Sequence, residues 1–185
     1  MQVELHIDEQ IFHVTTHIAG VYNFENLLAA ACVGNRFAVP AEHIATAIEN
    51  YTPQNNRSQV LQTAHNQLLL DYYNANPTSM KEALHNFFEQ IYGRKMVILG
   101  DMFELGDEAH QEHAAIIDLL LPQSELTRVV VGNNFYEAAR NIPEIQAFRE
   151  TEELKKWLAG NPPRNLFILV KGSRGMRLEQ LIELL

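Results

Sequence analysis

Within a short stretch, at the point where an apolar run gives way to a helix start, the chain places Asp71, Tyr73, Asn74 and Asn76. The run before them, Leu68-Leu69-Leu70, reads as a strand covered on both faces, the mark of a parallel sheet. Asn76-Pro77 reads as the helix start, because the Asn side chain accepts from an orphan amide and proline fills the first helical position without losing a hydrogen bond. The four polar groups therefore stand at the carboxyl end of a parallel strand, where open α/β sheets hold ligands.

A second set is Lys171-Gly172-Ser173-Arg174, between the apolar stretch 166–170 and a helical pattern. Its amides, a helix dipole and two cations could bind a carboxylate or a phosphate. An ordinary N-cap accounts for Ser173 equally well, but not for two cations at a helix start, where positive charge is mildly unfavourable. Gly100-Asp101 and Gly132-Asn133 close two further apolar runs as Lys171-Gly172 does. Glycine at such ends serves either a tight turn or the close approach of a ligand, and polar groups from several strands would converge on one rim. His110 and His113 stand three apart on a helix and could begin a metal site. No third ligand follows at helical spacing, and His113 falls on the apolar face, so a packed histidine is expected and no metal site is assigned. Neither G-x-x-x-x-G-K-S/T nor G-x-G-x-x-G occurs, so any nucleotide site in this chain is incomplete.

The elements that must position these groups follow from periodicity. Val3, Leu5 and Ile7 alternate with polar residues, Asp8-Glu9 interrupts, and a β-rich stretch resumes over 11–18, which predicts a hairpin. A small-residue helix is expected over 26–33, ending at Gly34, and a second opens at Pro40 with Ile44, Ala47 and Ile48 inward. The polar stretch 51–58 is the expected interdomain linker. Beyond it, strands at 60–62, 68–70, 96–99, 129–131, 145–148 and 166–170 alternate with helical patterns. The helix from Pro77 shows Met80, Ala83, Leu84, Phe87, Phe88 and Ile91 on one face and closes at Gly93. Asp107 and Thr151 are expected to cap later helices, and a last helix carries Leu178, Leu181, Ile182 and Leu185. Repeated β-α units predict an α/β fold: a Rossmann-like, mainly parallel sheet with helices on both faces, preceded by a hairpin and two helices.

Composition narrows the function classes. With 46% hydrophobic and 20% charged residues the chain is ordinary globular protein, and no apolar run approaches the ~20 residues of a membrane span. A net charge of -9 without clustered Lys or Arg argues against a nucleic-acid partner. Cys32 is the single cysteine, which excludes an intrachain disulfide and a multi-cysteine metal site. The first residues lack a basic segment followed by an apolar core, so a cytoplasmic location is expected.

Five blocks, taken in order, resemble the Mur ligase family. They are Gly20-Val21-Tyr22-Asn23-Phe24-Glu25-Asn26-Leu27-Leu28-Ala29-Ala30, Arg57, Asp71-Tyr72-Tyr73-Asn74-Ala75-Asn76-Pro77, Gly100-Asp101-Met102-Phe103-Glu104-Leu105-Gly106 and Val170-Lys171-Gly172-Ser173-Arg174. The third and fourth blocks are similar to the branch that adds D-alanyl-D-alanine to UDP-N-acetylmuramoyl-tripeptide. The resemblance implies an ATP-dependent amide ligase of peptidoglycan precursor synthesis, in which ATP converts the tripeptide carboxylate to an acyl phosphate that the dipeptide amine attacks. It further implies that residues 1–53 correspond to the end of a central ATPase domain and 54–185 to a C-terminal Rossmann-like domain. Such a piece lacks the P-loop, leaves most Mg2+ ligands elsewhere and is expected to be inactive alone. By the same resemblance Asn23, Asn26, Arg57, Asp71 and Tyr73 serve the nucleotide, with Arg57 directed at its phosphates and Asp71 at its ribose. Asn74, Asn76, Lys171, Ser173 and Arg174 serve the incoming substrate, and Arg57 and Lys171 are the catalytic candidates. Two positions depart from the family pattern: Tyr22 replaces a usual His, and Leu70 replaces a frequent Asp before Asp71. The competing expectation is a stand-alone α/β module that binds a nucleotide or an amino acid.

Overall fold

The computed structural model describes residues 1–18, 23–52, 58–91 and 93–185. The chain divides into two compact units, Met1–Val60 and Leu61–Leu185.

In the first unit, β1 (Gln2–Ile7) and β2 (Gln10–Thr15) form an antiparallel hairpin, with Glu4 opposite His13. Leu5, Ile7 and Val14 face a small core that α1 (Phe24–Arg36) and α2 (Ala41–Asn50) complete with Leu27, Ala31, Ile44, Ala45 and Ile48. Helix α1 runs through Gly34 instead of ending there. An added Cβ at Gly34 would lie 3.0 Å from Ile44 Cδ1, so the glycine serves helix-to-helix contact and not termination. Ala45, and not Ala47, faces inward on α2.

The second unit is built on a six-stranded sheet in the order β3-β4-β8-β5-β6-β7, formed by β3 (Gln59–Gln62), β4 (Gln67–Asp71), β5 (Lys95–Gly100), β6 (Leu126–Val131), β7 (Ile145–Phe148) and β8 (Phe167–Lys171). Strands β4, β8, β5, β6 and β7 are parallel. The turn 63–66 between β3 and β4 is too short for a crossover, so that pair is a hairpin. Alternate residues feed the two faces. Leu68, Leu70, Ile98, Val129, Ile168 and Val170 meet Leu154 and Leu158 of α6 (Thr151–Gly160) together with Leu178 and Leu181. On the other face lie α3 (Pro77–Glu89), α4 (Ala109–Leu120) and α5 (Asn133–Ala139), where the Phe87 and Phe167 rings are 4.9 Å apart. The expected doubly wound architecture is therefore present.

Several boundaries differ for local reasons. Helix α3 is capped by Asn76 in a reciprocal box with Ser79 but ends at Glu89. Gln90 turns extended, Gly93 caps nothing, and Ile91 lies fully exposed outside the helix. Asp107 sits in a 3-10 turn, Gly106–Glu108, ahead of α4. Glu150, not Thr151, caps α6 through a box with Glu153, while the Thr151 hydroxyl donates to Met176 O at 2.8 Å. The final segment is not α-helical but two 3-10 stretches, Arg174–Met176 and Leu178–Leu184, with Arg177 between them at φ 53. Buried Arg128 is accommodated because it donates to the end of α4, to Leu120 O at 2.9 Å and Leu121 O at 3.2 Å.

Candidate functional site

Strand β8 is the hinge of the arrangement. Its neighbours β4 and β5 continue into α3 and α4 on one face of the sheet, whereas β8 continues into the 3-10 segment on the other. Connections that part to opposite faces open a crevice at the carboxyl ends of the strands, where α/β sheets bind ligands. The loops after β4, β5 and β8 form its rim.

Asp71 and Lys171 are register partners at the ends of β4 and β8. Lys171 Nζ donates to Asp71 Oδ2 at 2.5 Å, with side-chain exposures of 2% and 12%. Lys171 is thus interior, and any effect it has on a bound molecule passes through Asp71. Leu70 points to the opposite face, into the core beneath α6, so the departure at that position leaves the Asp71 side of the sheet unchanged. One turn further on, the Arg174 guanidinium lies over the Tyr73 ring at 5.5 Å, and both side chains are exposed. Asn74 Oδ1 accepts from Ala75 N at 2.9 Å, and Asn76 Oδ1 from Ser79 N at 2.9 Å, so Asn76 is the cap of α3.

The β5 loop is pinned residue by residue. The Asp101 carboxylate accepts from Asn134 N at 3.0 Å and Phe135 N at 2.9 Å, filling the start of α5 with the protein's own anion. The Asp101 carbonyl accepts from Ser173 N at 3.0 Å. Met102 N donates to His113 Nε2 at 3.0 Å, and Phe103 N donates to Ser173 Oγ at 2.9 Å. His113 Nδ1 lies 2.6 Å from Ala109 O. A carbonyl only accepts, so the proton is on Nδ1 and the imidazole is neutral; its 3.5 Å approach to Asp101 Oδ1 is therefore no ion pair. His113 is a hydrogen-bonded core histidine, and His110 is exposed.

The strand-end glycines have structural reasons. An added Cβ at Gly172 would stand 2.9 Å from Gly100 Cα, and one at Gly132 would stand 2.2 Å from Asp101 Cγ. They let neighbouring strand ends and the Asp101 cap close up, and the space they leave is filled by protein.

Asn23 and Asn26 lie in the first unit, where Asn23 Nδ2 donates to Ser58 Oγ at 2.9 Å and Asn26 Nδ2 to Asn23 Oδ1 at 3.0 Å. Arg57, Tyr22 and the glycine that opens the first block lie outside the described residues. Sequence reasoning assigned no role to Phe103 and Glu104, although the paired glycines of Gly100-Asp101-Met102-Phe103-Glu104-Leu105-Gly106 marked a constrained loop.

Residues 56–174 match the family described as Mur ligase, glutamate ligase domain. The chain belongs to the Mur ligase family. It is 36% identical over 174 residues to the UDP-N-acetylmuramoyl-tripeptide--D-alanyl-D-alanine ligase of Treponema pallidum, covering 91% of this chain and 38% of that protein. The ligase of the same name from Bacillus subtilis is 32% identical over 175 residues, with 90% and 38% covered. A crystal structure of MurF from Acinetobacter baumannii superposes with a TM-score of 0.84 at 30% identity, covering 98% of this chain and 41% of that one. The chain therefore spans about two fifths of the length of these Mur ligases.

Mur ligase chemistry calls for ATP, and the rim fits part of that demand. A carboxylate at a strand end beside an exposed tyrosine suits a sugar and a base. Nothing among the described residues cradles a triphosphate, and no group of three or more His, Cys, Asp or Glu gathers there to hold a metal.

Proposed function

We propose that this chain is part of an ATP-dependent amide ligase that joins D-alanyl-D-alanine to UDP-N-acetylmuramoyl-tripeptide. Residues 1–53 are assigned to the end of its central ATPase domain and 54–185 to its C-terminal domain. The observation that carries this reading is the crevice beside β8, rimmed by the two sequence blocks specific to that branch, in a chain whose relatives bear that name. ATP supplies the phosphoryl group that activates the tripeptide carboxylate. Within this chain, Asp71 accepts from the ribose hydroxyls and Lys171 holds Asp71 in place. Tyr73, Asn23 and Asn26 serve the nucleotide, and Arg57 meets charge on its phosphates. Asn74, Ser173 and Arg174 line the side of the incoming dipeptide, and Asn76 fixes the start of α3 beneath them. Such a division leaves the C-terminal domain to align substrates while the ATPase domain activates them, so productive geometry requires the domains to close. A cytoplasmic enzyme that needs Mg2+ held largely by other residues follows from the same assignment.

The test is a ligation assay of the longest natural polypeptide containing this chain, with ATP, Mg2+ and UDP-N-acetylmuramoyl-tripeptide. D-alanyl-D-alanine should be consumed with phosphate release, and D-alanine or single L-amino acids should not. The 185-residue chain alone should not hydrolyse ATP. Nucleotide binding by the full polypeptide without amide formation would instead support a stand-alone binding module.

A further inference from the structure

The β5 loop is the one rim element to which the function above assigns nothing. Asp101, Met102 and Phe103 are each held, through the start of α5, His113 and Ser173. Glu104 then takes φ 66, a conformation costly for a residue with a side chain, and Gly106 follows at φ 54. Such a conformation persists where the surroundings over-determine it, and three anchored residues in succession do that here. The loop turns Phe103 and Glu104 outward. Phe103 is 44% exposed, and its ring lies where a Cβ at Gly175 would be, 2.6 Å from Cε2. That contact joins the Glu104 loop to the residue following Arg174. The Glu104 carboxylate is exposed and has no hydrogen-bond or ion-pair partner among the described residues.

We propose that Glu104 is a specificity-determining residue that binds the ammonium group of the incoming dipeptide, with Arg174 across Phe103 meeting its carboxylate. This rests on the ligase reading above. A zwitterionic peptide needs one fixed charge of each sign, and Lys171, being buried against Asp71, cannot be the cation. Arg174 is exposed and Glu104 is the anion joined to it through the Phe103 contact. A carboxylate presented by a pinned loop also favours acceptors that carry an amine, because only they gain the charge-assisted hydrogen bond.

Two variants of the full-length enzyme separate charge from backbone. Glu104→Gln keeps the strained conformation without the charge, whereas Glu104→Gly removes the charge and relieves the strain. Both should raise KM for D-alanyl-D-alanine about 10- to 100-fold, the loss of one charge-assisted hydrogen bond. KM for ATP should stay as in the unaltered enzyme, and Glu104→Gly should melt no lower than it. Propionyl-D-alanine, the dipeptide without its amine, should inhibit both variants as well as it inhibits the unaltered enzyme. Unchanged KM for the dipeptide in Glu104→Gln overturns the proposal. So does an equal loss of affinity for the dipeptide and for propionyl-D-alanine, which would make Glu104 a determinant of loop shape. If the unaltered enzyme does not ligate the dipeptide, both readings fall; if it does and the variants match it, only this one falls.

Discussion

Replacing Lys171 by methionine preserves much of the side chain's length and removes the charge that pairs with Asp71. The pair is close, 2.5 Å from Nζ to Oδ2, and nearly dry, with side-chain exposures of 2% and 12%. At an effective dielectric of about 20, two unit charges at that separation attract by roughly 7 kcal/mol. Taking each ion out of water costs several kcal/mol, so the intact pair contributes little net stability. Removing one partner is different: a lone Lys171 ammonium keeps its full desolvation cost and Asp71 loses its Lys171 counter-ion, changes worth about 3–5 kcal/mol. The two survivors are not equivalent. Asp71 keeps an edge toward water, whereas the Lys171 ammonium is closed in by β4 and β5. Lys171→Met is therefore expected to cost about 3 kcal/mol, Asp71→Leu about 5 kcal/mol, and the double variant no more than about 2 kcal/mol. Trp157, the single tryptophan, packs 5.7 Å from Phe148 in the same unit and reports its unfolding by fluorescence. With a urea dependence of about 2 kcal/mol/M, the midpoint should fall by about 1.5 M for Lys171→Met and about 2.5 M for Asp71→Leu. A midpoint within about 0.3 M of the native chain for Lys171→Met would falsify the argument. So would a double variant that loses the sum of the two single losses.

The same crevice supports further tests. Ser173→Ala leaves the Phe103 amide without its acceptor and should cost about 1–2 kcal/mol, read as faster hydrogen exchange at Phe103 while the β6 amides keep their protection. Gly132→Ala sets a methyl group 2.2 Å from Asp101 Cγ at φ 121, and should cost about 3 kcal/mol or more by driving Asp101 off the start of α5; a change below about 1 kcal/mol would show that the cap can move aside. Burial, and then the charge of Glu179, push the Tyr72 phenol above its ordinary value of 10.0. The unfolded chain then releases this proton first as pH rises past 10, so stability falls until the folded phenol also ionises. Tyr72→Phe should remove that share of the alkaline loss, seen as a smaller drop in urea midpoint between about pH 9 and about pH 11.

Much of the architecture was legible because it follows from local rules. Three leucines before Asp71, the Asn76-Pro77 helix start and the alternation of strands with amphipathic helices depend on neighbours along the chain, and each appears in the structure. Helix ends are less legible where a glycine resembles a stop signal. Gly34 is a contact point for Ile44 and Gly93 caps nothing, because packing against another helix and termination both call for a residue without a side chain.

The site divides in the same way. Residue types and strand ends identified Asp71, Tyr73, Ser173 and Arg174 as rim residues, since a polar group that follows an apolar strand must emerge at the edge of the sheet. Their partners were not legible. Asp71 and Lys171 are 100 residues apart, and only the insertion of β8 between β4 and β5 places them in register and turns an expected substrate contact into an interior counter-ion. The same insertion puts Ser173 under Phe103, so the β5 loop, which by itself is only a glycine-bounded turn, becomes a fixed platform for Glu104. Local preference reaches a few residues along the chain. The order of strands in the sheet is set by the burial of both its faces together, and that belongs to the tertiary structure alone.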